Sequence, residues 1–158
     1  MNCTFSVYDT DIALVVGDVS IFAGSAMAVH QTELLAAGVE IPEEYWDTRY
    51  FIGIAPGLYE CLGTENLDAA LAHEEGHIRL GHLELVGDSI EEYLAMEPAE
   101  IVRLETEADR YAADIHGVSA VCNALRQSAT HMCSLTPEHT DAINTFIAYR
   151  VSTLENHF

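Results

Sequence analysis

Two histidines four residues apart are the clearest chemical feature of the sequence. Residues 73 to 77 read His-Glu-Glu-Gly-His. If this segment is helical, positions i and i+4 lie one above the other on the same face, so His73 and His77 can direct their imidazoles at one point. Zinc prefers nitrogen and sulfur donors together with carboxylate oxygens, in tetrahedral geometry. The spacing therefore predicts two ligands of a Zn²⁺ ion.

Glu74 is placed to act beside such a metal. On an ideal helix it is turned by about 100° from His73, so it lies next to the metal rather than on it. A general base needs this position to take a proton from a water molecule that the metal activates, and it can then pass the proton to a leaving amine. Gly76 weakens a helix by about 1 kcal/mol relative to Ala, which indicates that something approaches closely at this point.

A stripe of carboxylates and alanines further along the chain supplies a candidate third ligand. Glu105, Ala108, Asp109 and Ala112 follow the i, i+3, i+4, i+7 pattern of one helix face. We expect the alanines to let this helix pack tightly on the first one, with Glu105 completing the metal site. Asp109, one turn on, can accept the outer N–H of a liganding histidine. Glu107 is rotated by roughly 200° from Glu105 and is expected to point to solvent.

The elements that must position these residues fall into two parts. The N-terminal third has the alternation and turn signals of short strands, with one stretch of helical composition that ends at Gly38. The predicted strands are residues 4–8, 12–16, 19–22, 49–55 and 58–62, and the predicted early helix is 26–37.

The rest of the chain is typical of helices. An active-site helix is expected over residues 65–81 and a third-ligand helix over 98–116, each ended by a glycine. Two further helices are expected over residues 118–132 and 137–155. We therefore predict an α+β fold in a single domain, 1–158, with a small N-terminal antiparallel sheet followed by a helical core.

The chain is strongly acidic. It has 26 Asp and Glu residues against 6 basic residues, all of them Arg, and a net charge of −20. Nucleic acids and anionic membranes both require basic surfaces, so neither is an expected partner. The carboxylates are dispersed as on a folded surface, and such a field speeds encounter with basic proteins.

No basic segment precedes the first apolar stretch, which predicts a cytoplasmic protein without a signal peptide. The four scattered cysteines are expected to be free, buried thiols.

The two motifs resemble those of the gluzincin zinc metallopeptidases. HEEGHIRLGH at residues 73–82, followed by ETEADRYAAD at 105–114, is similar to the HExxH and ExxAD motifs of the HtpX and CAAX-endopeptidase families and to the corresponding motifs of the ImmA/IrrE family. The resemblance covers residues 64–117. The small size and the lack of an apolar span favour a minimal or ImmA/IrrE-like protein over the membrane-embedded type.

The resemblance implies a zincin-type core and a zinc endopeptidase acting on a protein or peptide. His73, His77 and Glu105 would bind Zn²⁺, and Glu74 would be the base. An edge strand beside the zinc would hold an extended substrate, and residues 50–55 are the candidate by position. ImmA/IrrE-like relatives further imply a transcriptional repressor as substrate and an origin in a phage or other mobile element, in a host cytoplasm.

Some roles stay open at this point. A peptidase of this type needs a hydrogen-bond donor near the developing oxyanion. The candidates are Tyr93, Tyr111, His116, Tyr149 and Arg150. His82 is either a helix-end histidine favoured by the helix dipole or a group with a metal role. Glu75 stands where the family usually has an apolar residue, and it is expected to face outward.

Two other functions compete with the peptidase. The charge would also suit an acidic binding protein that mimics DNA or sequesters a basic partner. An inactive gluzincin fold with a structural zinc is the other alternative, although such a site has no use for a base at Glu74. The peptidase hypothesis predicts a basic substrate whose cleavage slows as the salt concentration rises.

Overall fold

The computed structural model describes residues 2–86 and 90–157 and has the predicted α+β architecture. A four-stranded sheet is built from residues in the first third of the chain, and helices follow it. The strands are β1 (Cys3–Asp9), β2 (Ile12–Gly17), β3 (Ala26–His30) and β4 (Tyr50–Ile54). In the described part of the chain, no helix combines the length and apolar character needed to cross a membrane. The four cysteines are free, but only Cys122 is buried.

The sheet is mixed, whereas the sequence predicted an antiparallel one. Its spatial order is β1-β2-β4-β3. β1 and β2 form an antiparallel hairpin, β2 and β4 are parallel, and β4 and β3 are antiparallel. Because β4 has a neighbour on each side, residues 50–55 do not form an edge strand. The edge strand on this side of the sheet is β3.

Three N-terminal elements differ from the prediction. Residues 26–30 form β3 instead of a helix, because their backbones pair with β4 from Ala26↔Ile54 to His30↔Tyr50. The helix α1 (Gln31–Ala36) is therefore short, although the chain still leaves it through Gly38, at φ 84°. Residues 19–22 form no strand and contain a 3₁₀ turn, Ser20–Phe22. Residues 58–62 do not return as a hairpin strand, since Pro56 occupies the first turn of the helix α2 (Pro56–Cys61).

Four helices of the C-terminal part lie close to their predicted positions, and two short helices between the first and the second of them were not predicted. The bounds are α1 (Gln31–Ala36), α2 (Pro56–Cys61), α3 (Thr64–Arg79), α4 (His82–Val86), α5 (Ile90–Leu94), α6 (Pro98–His116), α7 (Val118–Leu135) and α8 (Thr140–His157). The N-cap of α3 is Gly63. The helix α3 is central, because it packs against α6, α7 and β3.

Two apolar layers hold the sheet to the helices. On one face of the sheet Val15, Phe51 and Leu34 of α1 belong to one buried cluster. On the other face Ile52 packs with Leu71 of α3. Each such side chain contributes about 1.5–3 kcal/mol when it is fully buried. The second layer fixes α3 against the sheet and thereby sets the direction in which the polar face of α3 points.

The close approach expected at Gly76 is that of the helix α6. A Cβ atom at Gly76 would lie 3.1 Å from Cβ of Tyr111 and 3.2 Å from Cα of Ala108. Ala108 and Ala112 are both fully buried. Small residues on both helices therefore let the two backbones come together, as the alanine stripe predicted.

We expect Gly76→Leu to lower the free energy of unfolding by about 1–3 kcal/mol, because a large side chain would overpack the α3–α6 contact. The matched control is Asp68→Leu, at an exposed position of the same helix, where the change should stay within about 0.5 kcal/mol. Urea denaturation of both variants measures the effect. Equal losses for the two variants would contradict the close contact.

Candidate metal centre

The three predicted metal ligands meet at one point between α3 and α6. Nε2 of His73 lies 3.1 Å from Nε2 of His77 and 3.0 Å from Oε2 of Glu105. Nε2 of His77 lies 3.4 Å from Oε1 of Glu105. Ligands at 2.0–2.1 Å from a tetrahedral zinc are about 3.3–3.4 Å apart, so the donor set and its spacing fit Zn²⁺. The three residues form a group able to hold a metal ion.

Glu74 lies beside these ligands and is tied to the edge strand. Its Oε2 accepts a hydrogen bond of 3.0 Å from the backbone N–H of Ala28, in the middle of β3. Burial raises the pKa of the Glu74 carboxyl, and the charges of His73 and His77 oppose this effect. A carboxylate that is partly desolvated and held by one amide is suited to accept a proton.

Asp109 contacts the outer nitrogen of the first ligand, where the sequence analysis placed it. Its Oδ1 lies 2.8 Å from Nδ1 of His73. Asp109 is 1% exposed, and Arg150 of α8 contacts both of its oxygens, at 2.8 and 2.7 Å. Burial alone would raise the pKa of Asp109, but Arg150 and His73 together outweigh burial and lower it. The carboxylate therefore stays ionised and can hold the ring of His73.

The carboxylates around His73 favour positive charge at the centre. Burial would lower the pKa of His73, but the carboxylates of Asp109 and Glu105 outweigh it and raise the pKa to about 10. Arg150 also lies 3.6 Å from Oε2 of Glu105. One guanidinium does not neutralise both carboxylates, so a divalent cation is favoured when it takes the place of the imidazole proton.

Behind the second ligand lies a contact that the sequence analysis missed. Nδ1 of His77 is 2.9 Å from Nδ1 of His82, whose Nε2 is 2.8 Å from Oε2 of Glu107. The position of Glu107 on α6 had predicted a side chain directed to solvent, but its carboxylate contacts His82. The turn at Gly81, with φ 74°, starts α4 and brings His82 to a buried position between α3 and α6. The angle of Glu107 on its own helix could not predict this contact, because His82 belongs to another helix.

Glu75 also departs from the outward position that was predicted for it. Its carboxylate is partly buried, accepts a hydrogen bond of 3.0 Å from the hydroxyl of Tyr8, and lies 3.3 Å from Nε of Arg79. Arg79 in turn pairs with Asp9 and Asp11 at the β1–β2 turn. Glu75 therefore links α3 to the sheet hairpin.

Only two of the five candidate oxyanion donors lie at the centre. Tyr93 donates a hydrogen bond of 2.9 Å to Oε1 of Glu105, and Arg150 lines the same cavity. Burial and the Glu105 charge raise the pKa of Tyr93, so its hydroxyl keeps its proton. Tyr111 of α6 packs against Gly76 of α3, and His116 is exposed at the end of α6. The structure does not bring these last two, or the exposed Tyr149, to the metal ligands.

A cavity of about 360 Å³ opens on the centre. Residues 26–28 of β3 form one wall, next to Glu74. Apolar side chains from α3, α7 and α8 also line it, among them Ala70, Leu125, Met132 and Ile147. A cavity that combines polar ligands with an apolar lining is typical of sites that orient an organic molecule.

No protein-family model matches this chain, and neither a curated protein nor a solved structure matches it significantly. The resemblance to gluzincins thus depends on the residues of the two motifs.

Arg150→Met should lower the free energy of unfolding by about 3–5 kcal/mol, because it leaves the Asp109 carboxylate buried without its cation. The double variant with Asp109→Asn removes that unpaired charge, so its loss should be smaller than the sum of the two single losses. Chemical denaturation of the wild type and the three variants measures the coupling. Losses that add within about 0.5 kcal/mol would show that the two residues are independent.

Proposed function

We propose that the protein is a zinc-dependent metallopeptidase that hydrolyses peptide bonds of a protein substrate. The observation that carries the proposal is the convergence of His73, His77 and Glu105, with Glu74 next to them. A purely structural zinc site is normally closed by four protein ligands. Three protein ligands and a carboxylate facing a cavity leave room for water and substrate.

Each residue of the centre has a chemical task in this proposal. Zn²⁺ held by the three ligands would make a water molecule acidic enough to ionise near neutral pH. Glu74 accepts the proton of that water and delivers it to the leaving amine. Tyr93 and Arg150 are the donors available to a developing oxyanion, since both line the cavity.

The edge strand β3 supports an extended peptide as substrate. It pairs with β4 on one side. Its other side faces the cavity, because the N–H of Ala28 points to Glu74. A peptide can add to such an edge as a further strand through main-chain hydrogen bonds. The cleaved bond would then lie over the metal ligands, with a side chain directed to the apolar lining of the cavity.

The net charge supports a basic substrate. The residues of the centre account for only a few of the 26 carboxylates, and most of the others form a negative field over the surface. Such a field raises the rate at which cationic molecules reach a cleft. We therefore assign a basic protein or peptide as the preferred substrate.

Glu74→Gln should keep the zinc and lose cleavage by about 10²- to 10⁴-fold, because the base is removed and the ligands stay. His73→Ala and Glu105→Ala should lose the zinc and the activity together. The matched control is Glu75→Gln, the adjacent carboxylate outside the cavity. Metal analysis and mass spectrometry of a digested peptide library provide the readouts. A protein without zinc, with a Glu74→Gln variant that cleaves normally, would refute the proposal.

Cleavage of a basic peptide should slow by roughly tenfold or more as salt rises from low to high concentration, because ions screen the attraction. An acidic peptide with the same cleaved sequence is the control, and its kcat/KM should rise or stay constant. A kcat/KM that does not change with ionic strength for either peptide would contradict steering. A basic protein that binds His73→Ala as tightly as the wild type, without being cleaved, would instead favour the acidic binding protein.

A further inference from the structure

We propose that His82 is a positioning residue of the metal centre, which holds the second ligand, His77, through its ring and is itself held by Glu107. This inference rests on the proposed zinc site. It assigns to the start of α4 a role in fixing the geometry and the proton arrangement of a residue on α3.

The distances form a continuous chain of polar contacts. Nδ1 of His77 lies 2.9 Å from Nδ1 of His82, and Nε2 of His82 lies 2.8 Å from Oε2 of Glu107. Oε1 of Glu107 accepts a hydrogen bond of 2.6 Å from Nη1 of Arg103, one turn back on α6. His82 is 2% exposed. Both of its ring nitrogens are thus used, away from bulk water.

When His77 binds a metal, only one arrangement of protons satisfies the contacts among His77, His82 and Glu107. A histidine binds a metal through an unprotonated nitrogen, so Nε2 of His77 must be free and its Nδ1 must carry the proton. That Nδ1–H then donates to Nδ1 of His82. With Nδ1 as acceptor, neutral His82 carries its proton on Nε2 and donates it to the carboxylate of Glu107. The same arrangement therefore serves both contacts.

The two histidine ligands are consequently held in different ways. His73 has the buried carboxylate of Asp109 directly behind it, at 2.8 Å. His77 has the neutral imidazole of His82 behind it, and the carboxylate of Glu107 contacts that imidazole instead of His77 itself. Partners of this kind fix ring orientation, and their loss typically costs 10–100-fold in metal affinity.

The test compares zinc affinity and the absorption spectrum of the Co²⁺-substituted protein for wild type, His82→Phe and His82→Asn. We expect His82→Phe to weaken zinc binding by about 10–100-fold and to change the Co²⁺ spectrum, because His77 loses its acceptor. Asn can still accept from His77, so His82→Asn should lose less affinity. The matched control is His116→Phe, an exposed histidine on α6 that should bind Zn²⁺ and Co²⁺ as the wild type does.

Thermal unfolding of each variant separates a folding defect from a local effect. If His82→Phe does not fold, His82→Ala and Glu107→Ala decide the question, since the first removes the acceptor of His77 and the second removes the carboxylate that holds the ring of His82. Unchanged affinity and an unchanged Co²⁺ spectrum in the folded variants would overturn the role of His82. A wild-type protein whose metal binding does not depend on His73 would refute the proposed function itself.

Discussion

The contact between α3 and α6 at Gly76 is the constraint on which the rest of the structure depends. No side chain separates Gly76 from the backbone at Ala108, so the two helices approach closely over fully buried alanines. At this separation two imidazoles on one helix and a carboxylate on the other come within 3.0–3.4 Å of one another. The glycine that weakens α3 locally is therefore the residue that permits the site.

The meeting of α3 and α6 brings several partly or fully buried carboxylates together, and the C-terminal helix α8 compensates part of their charge. Arg150 of α8 contacts Asp109 and approaches Glu105, so the last helix of the chain is tied to the centre. Burying carboxylates without a partner is costly, and each cation near them offsets part of that cost. An ion bound at the proposed site would therefore stabilise the fold, since a ligand that binds only the folded state favours it.

The edge strand connects the sheet to the chemistry. Ala28 of β3 holds Glu74 through its amide, so the base of the proposed mechanism is oriented by the sheet, whereas the ligands are oriented by the helices. The cavity beside them is lined both by polar groups such as His73 and by apolar side chains such as Leu125. Neither the sheet nor the helices alone would create a site with a base on one side and ligands on the other.

The sequence by itself determined the features that depend on neighbours along the chain. The i, i+4 spacing of His73 and His77 and the bounds of the third-ligand helix at 98–116 are local properties, and the structure has both features. Residues 26–30, in contrast, have a helical composition and form β3, because pairing with a distant strand outweighs local preference. The contacts of His82 with His77 and of Arg150 with Asp109 could not be predicted from the sequence either. Only tertiary packing decides which buried polar groups meet, since each must find its partner in whatever element lies across from it.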